Sequence, residues 1–135
     1  MNRMLQADAL RLPRPLVNQL LHSAQQAVSS SQGFVLHHGT DHFLCAPLPA
    51  DADLVQAARQ LQKRAEQMFA FYRTSNKSLP PPAAAELQVI IAFVPLYLAV
   101  ALDIKGVLQL RAWRIAGSRA LELDVAISEP GTRAQ

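Results

Sequence analysis

Histidine, aspartate and cysteine are the side chains that most readily hold a metal or move a proton near neutral pH. In this chain three of the four histidines and one aspartate gather in one stretch, His37-His38-Gly39-Thr40-Asp41-His42. A two-residue Gly39-Thr40 turn would make a hairpin of the flanking segments, with His37 opposite His42 and Val35 opposite Leu44. Two facing imidazoles could bind a divalent metal weakly, which makes His37 and His42 the alternative metal site. A catalytic centre needs a third ligand, and His38 would point to the other face. Turns also collect polar residues for conformational reasons alone, and on that plainer account no metal is assigned. Nucleophile chemistry has less support. Ser23, Ser29, Ser30, Ser31, Ser75, Ser78, Ser118 and Ser128 all lack a G-x-S-x-G context. No Walker loop or G-x-G-x-x-G string occurs, so no cofactor is expected. Trp113, next to Arg114, is either a partner-binding anchor or a partly buried structural residue.

Composition bounds the remaining choices. A chain of 135 residues suggests one domain with one core. Hydrophobic residues make up 50% and charged residues 17%, an ordinary globular balance. Thirteen Lys and Arg oppose ten Asp and Glu for a net charge of +3, but the basic residues are scattered, with no run longer than Lys63-Arg64. Nucleic-acid binders concentrate such charge on a face or stripe, so weak nucleic-acid binding is a disfavoured alternative. The single cysteine, Cys45, excludes an internal disulfide and fits a reducing, cytoplasmic setting. It lies in Phe43-Leu44-Cys45-Ala46 and reads as core filling. No apolar signal core follows Met1-Asn2-Arg3-Met4. The most apolar stretch, Val89 to Leu102, is broken by Pro95 and too short to span a bilayer, so no membrane association is expected.

Whatever chemistry exists must be positioned by the following elements. Residues 1–12 read as a lead-in. Arg14-Pro15 suits a helix start, and Leu16, Val17, Leu20, Leu21, Ala24, Ala27 and Val28 form one apolar stripe. Ser29 to Gly33 ends that helix, and the hairpin follows from Phe34. Asp53-Leu54-Val55-Gln56 reads as a capping box for a second helix, with apolar positions at Leu54, Ala58, Leu61, Ala65 and Met68. Phe69-Ala70-Phe71-Tyr72 reads as a short buried strand, residues 73–82 as a loop, and Ala83 to Leu87 as a short helix. Leu96 to Leu102, apolar on both faces, reads as a central strand. Asp103 to Gly106 turns the chain. Residues 107–116 and 119–128 pair about Gly117-Ser118, which sets Ala112 opposite Leu123, and Arg111 opposite Asp124 on the other face. The fold class is therefore α/β (α+β), a single mixed β-sheet flanked by helices.

That order, with certain local strings, resembles the JAMM/MPN (Mov34/JAB-like) zinc metallopeptidase family in its compact bacterial form. The strings are Leu12-Pro13-Arg14-Pro15-Leu16-Val17-Asn18, Arg59-Gln60-Leu61-Gln62-Lys63-Arg64-Ala65-Glu66, Phe71-Tyr72, Leu96-Tyr97-Leu98, Lys105-Gly106-Val107 and Leu110-Arg111-Ala112. The resemblance runs from about Leu12 to Ile127. It implies a cytidine-deaminase-like sandwich and a single domain over 1–135, with a core over about 12–128 and frayed ends. In that family His-x-His and an aspartate bind zinc, a water completes the site as nucleophile, a glutamate is the general base and a serine stabilises the oxyanion. Carried onto this chain, the His-x-His positions hold Arg73 and Ser75. The serine position holds Ala83, the aspartate position Glu86, and the general-base position, three before Gly33, holds Ser30. All of these differ from the motif, so the resemblance implies a degenerate pseudoenzyme without zinc. Arg73 and Glu86 would either pair in the vacated place or stand free in solvent. The implied function is that of a protein-binding or regulatory subunit. Its partner would be an MPN subunit, a ubiquitin-like sulfur carrier or a second copy in a homodimer, met through Arg73, Asn76, Lys77 and Trp113. The alternative is a metal-dependent isopeptidase or hydrolase with ligands relocated to His37, His38, Asp41, His42 or Glu86.

Overall fold

The computed structural model describes residues 9–26, 30–38, 42–49, 51–64, 67–77, 81–102, 106 and 108–128. Arg14-Pro15 opens α1 (Arg14–Gln26), because proline's fixed φ and missing N–H cost nothing in a first turn. Leu16, Val17, Leu20 and Ala24 form its buried stripe. Asp53 caps α2 (Leu54–Arg64): its Oδ1 accepts the N–H groups of Val55 at 3.0 Å and Gln56 at 3.2 Å. Among the described residues, Gln56 makes no return bond through its side chain. The short α3 (Ala84–Ile90) begins after Ala83 and buries Leu87 and Ile90.

The strands are β1 (Ala9–Pro13), β2 (Ser30–His38), β3 (His42–Leu48), β4 (Gln67–Ser75), β5 (Leu96–Leu102), β6 (Leu108–Ala116) and β7 (Arg119–Ser128). They form one mixed sheet in the order β1-β7-β6-β5-β4-β2-β3. The β4–β5 and β1–β7 pairs are parallel and the others antiparallel. Side chains alternate along each strand, so each face has its own core. On one face Val35, Ala70, Tyr72, Leu98 and Val100 pack against Leu16, Val17 and Leu20 of α1. On the other, Phe34, Phe71, Tyr97 and Trp113 pack against Leu61 of α2 and Leu87 and Ile90 of α3. The central strands are apolar on both sides because both sides are covered. Among the described residues, no helix is long and apolar enough to cross a membrane.

Several expectations are corrected. Residues 9–13 are not lead-in but an edge strand, which pairs Leu10 with Val125 and Leu12 with Ile127. Ser30 to Gly33 belong to β2 rather than to a helix end. They are drawn out by pairing with β4, Ser30 opposite Ser75 and Gly33 opposite Tyr72. Met68 is in β4, not on α2, and β4 continues through Arg73 to Ser75 where a loop was expected. The β2–β3 register is shifted by one residue. His37 faces Phe43, His38 faces His42 and Val35 faces Cys45. A one-residue slip exchanges the faces of a strand, so Leu44 is 47% exposed. The β6–β7 hairpin holds the expected register, Ala112 opposite Leu123, around Gly117 at φ 67°. The expected turn at Asp103 to Lys105, and Ala65 on the second helix, lie outside the described residues.

β3 ends the sheet, and an open edge strand invites pairing with another chain. Here the edge is plugged. The Gln19 side chain of α1 donates from Nε2 to the Phe43 carbonyl at 2.8 Å, and its Oε1 accepts the Cys45 N–H at 2.9 Å. A single amide thus makes the two bonds a neighbouring strand would make. Pro47, two residues on, has no N–H to offer. Replacing Gln19 with Ala should cost about 1–2 kcal/mol and expose the edge. Urea denaturation and sedimentation velocity would read both effects. Unchanged stability in a strictly monomeric variant would refute the plug.

Candidate functional site

The expected motif positions fall on two adjacent strands and one helix. Beyond the irregularity where Val35 pairs with Ala70 but Leu36 with Met68, Phe71 faces the α3 side and lies beneath the helix, and Arg73 stands one step further along the same face. The parallel register sets Phe71 opposite Tyr97 and Arg73 opposite Ala99. Glu86, in the first turn of α3, then lies above Arg73, where a carboxylate also suits the positive end of the helix.

These residues form a closed triad. The Arg73 guanidinium pairs with Glu86 Oε2 through Nη2. Arg73 Nε donates to the Tyr97 hydroxyl at 3.1 Å, and that hydroxyl donates to Glu86 Oε1 at 3.1 Å. The guanidinium carbon lies 5.6 Å from the centre of the Phe71 ring. The side chains of Arg73 and Glu86 are 33% and 19% exposed, whereas Tyr97 is buried. Burial raises the Tyr97 pKa, against the opposing pull of Arg73, so the phenol stays protonated.

A zinc site does not fit this donor set. Both Glu86 oxygens are already engaged by Arg73 and Tyr97. Arg73 is a cation, Ala83 offers no side-chain donor, and Ser30 is paired with Ser75 in the strand register. Neighbouring polar groups are also spoken for. The Ser31 and Thr74 hydroxyls bond to each other, and Gln32 Nε2 donates to the Pro49 carbonyl at 3.0 Å. Among the described residues no group of three or more His, Cys, Asp or Glu could hold a metal ion. The triad ties β4, α3 and β5 together as a neutral unit, and it contains no free nucleophile.

The other expected site residues are dispersed. His37 does not meet His42. It stacks on Phe43 with ring centres 4.6 Å apart and bonds Gln67 Oε1 at 3.3 Å, while His42 belongs to the opposite face of the hairpin. Asp41 lies outside the described residues. Trp113 is not a surface anchor. It is only 3% exposed, packs edge-on to Tyr97 with ring centres 5.8 Å apart, and lies under Arg111 at 4.8 Å. Arg111 forms a two-pronged pair with Glu122 rather than Asp124, with both bonds at 3.0 Å. That pairing holds the Glu122 carboxyl below its ordinary pKa. Asn76 and Lys77 are exposed in the bend after β4, where the Lys77 N–H bonds Ser75 Oγ at 3.0 Å. Tyr97 was missed from sequence. Its signal was a lone hydroxyl in an otherwise apolar strand, which needs a buried partner.

A second polar pair lies under α1. Burial pushes the Cys45 thiol up to about 12. The Tyr72 hydroxyl is pushed up to about 12 by burial first and by Cys45 second. Ser23 works the other way but does not reach bonding geometry, so Tyr72 Oη has no hydrogen-bond partner among the described residues. The ring packs across Gly33, where an added Cβ would lie 2.7 Å from that hydroxyl and 2.3 Å from the Ala46 carbonyl oxygen.

With this geometry established, comparison with known proteins is informative for the fold. No protein-family model matches the chain, and no curated protein matches it. Solved structures do. A protein from Desulfitobacterium hafniense, determined in solution, is 16% identical, covers 88% of this chain and 92% of its own, and superposes with a TM-score of 0.60. A JAMM structure, described as a metalloprotease-like zinc site in the proteasome and signalosome, is 14% identical over 87% of this chain and 98% of its own, with a TM-score of 0.53. A JAB1/MPN domain protein from Archaeoglobus fulgidus is 12% identical over 87% and 99%, with a TM-score of 0.52. At such identities the likeness establishes architecture. The chain has a JAMM/MPN-like α+β sandwich.

Two outcomes follow for stability. Replacing Arg73 with Ala strands the Glu86 carboxylate and should cost about 1–2 kcal/mol, discounted from a fully buried pair because the site is partly exposed. An Arg73→Ala/Glu86→Ala double-mutant cycle with no coupling energy would exclude the pair as a structural element. Alkaline stability should follow Cys45 and Tyr72. Their unfolded pKa values are near 9.0 and 10.0, and both are raised in the fold. Stability is therefore complete below pH 9 and lost as pH rises from there through about 12. Replacing Tyr72 with Phe removes an unsatisfied hydroxyl and should leave neutral-pH stability equal or higher while flattening the alkaline loss. A variant that melts several degrees lower at pH 7 would contradict this account.

Proposed function

We propose that the chain is a non-catalytic protein on a JAMM/MPN-like frame, acting in the cytoplasm as a single-domain protein-binding or regulatory subunit. The Arg73–Glu86–Tyr97 triad carries this reading. On the resemblance, it stands where the zinc motif would stand. An arginine and a glutamate that neutralise each other there supply neither a metal seat nor an activated water. The partner is another MPN-type subunit, a ubiquitin-like sulfur carrier or a second copy. The surface offered is the rim formed by Arg73 and the exposed Asn76 and Lys77. The identity of the solved relatives supports the frame and nothing finer.

Metal content of untagged protein prepared without chelators is the direct test, read by inductively coupled plasma mass spectrometry. Zinc near zero after incubation with excess zinc and desalting is expected. Close to one zinc per chain, lost on replacing His37, His42 or Glu86, would transfer the reading to a hydrolase with relocated ligands.

A further inference from the structure

The α3-side face of the sheet carries a cleft apart from the triad. It lies between the β2–β3 hairpin and α2 and has a volume of about 380 Å³. Leu36, Ala46 and Leu48 form one wall, and Ala57 and Leu61 form the other. The α2 residues Ala57, Gln60, Leu61 and Arg64 follow helical spacing, so one stripe of the helix faces the cleft. Leu44, 47% exposed, stands at its mouth.

Its chemistry is one-sided. Among the described residues no acidic side chain lines it, and the polar side chains present are Gln60 and Arg64; the Cys45 thiol lies on the other face of the sheet, under α1. Arg64 has no carboxylate partner among the described residues, whereas Arg73 and Arg111 each have one. An apolar hollow with a few convergent polar groups is the usual form of a small-ligand site. An extended peptide is a poor occupant, because a strand added here needs the outer edge of β3. Gln19 already holds the outward Phe43 carbonyl and Cys45 N–H, and Pro47 has no N–H.

We propose that this cleft binds a small anionic amphiphile, a carboxylate on an aliphatic body, with the body between Leu36, Leu48 and Leu61 and the carboxylate on the Arg64 guanidinium. At about 30 Å³ per water-sized group the volume holds roughly a dozen non-hydrogen atoms, the size of a medium-chain fatty acid. Arg64 supplies the charge-assisted, two-pronged contact that a carboxylate prefers. The assignment is independent of the non-catalytic reading, since none of its residues belongs to the triad.

Titration of the whole chain with decanoate below its micellar concentration, followed by amide chemical shifts in ¹H–¹⁵N spectra, tests it. Saturable shifts confined to residues 36, 44–48 and 57–64 are expected, with decanol and decyltrimethylammonium at least about tenfold weaker. Arg64→Gln, an exposed substitution, should weaken decanoate about tenfold and leave decanol unchanged. Ala57→Leu should reduce binding of both by filling the cleft. Equal binding of the three ligands, an unaffected Arg64→Gln variant, or shifts outside the cleft would overturn the proposal. So would a concentration-dependent dimer perturbing the same residues without ligand, which would place a second copy in the groove.

Discussion

The parallel pairing of β4 with β5 is the constraint from which most of this structure follows. Parallel strands cannot be joined by a tight turn, so the chain must cross one face of the sheet between Ser75 and Leu96. It crosses on the face bearing Phe71 and Tyr97, and Leu87, Ile90 and Val94 sink into that face on the way. The crossover is anchored at its end, where the Ile115 N–H bonds the Pro95 carbonyl at 2.8 Å. Once Leu87 is buried, Glu86 is held beside the sheet and its carboxylate has little freedom. Arg73 and Tyr97, fixed by the strand register, then meet it from below.

Electrostatics explain why that meeting closes the site. Arg73 and Glu86 compensate each other, and the Tyr97 hydroxyl joins both, so no charge is left to recruit an ion. A divalent cation brought about 4 Å from the guanidinium would meet repulsion on the order of 8 kcal/mol at an effective dielectric of about 20. It would also have to break the bonds that satisfy Glu86. The triad is therefore a structural clasp, partly exposed on its Arg73 side, and its exposed part is a surface feature rather than a reaction centre.

Much of this was legible in the sequence where a local signal fixes geometry. The Gly117-Ser118 turn set the β6–β7 register, because Gly117 can take a positive φ and two residues suffice. Asp53 and Arg14-Pro15 marked helix starts for equally local reasons. The β2–β3 register was misread because a one-residue change in loop length leaves the hydrophobic pattern almost as good: Val35 can face Leu44 or Cys45. The distinction is made at a distance, by Gln19 bonding Phe43 and Cys45. β1 and the outer half of β4 escaped notice because Ala9–Pro13 and Arg73–Ser75 are strands only through partners far along the chain. The family resemblance brought Arg73 and Glu86 to one place but left open whether they pair or stand free in solvent; the structure pairs them. The contribution of Tyr97 was not, since nothing local shows which way a tyrosine in an apolar strand points its hydroxyl.

The position of the triad relative to the cores explains how a fold of this kind can stand without metal chemistry. Phe34, Phe71, Leu87 and Ile90 are essentially fully buried, and so are Leu16, Leu20 and Leu98 on the opposite face. Burying each such side chain is worth about 1.5–3 kcal/mol, and of those named it is Phe71 that the Arg73 guanidinium lies over. The triad lies at the rim of one core, contacting it through the Phe71 and Tyr97 rings. The scaffold therefore constrains the rim to be electrically satisfied but not to be satisfied by any particular chemistry. A guanidinium, a carboxylate and a phenol meet that constraint with their own hydrogen bonds, which is the physical condition under which such a fold can stand with no metal at this rim.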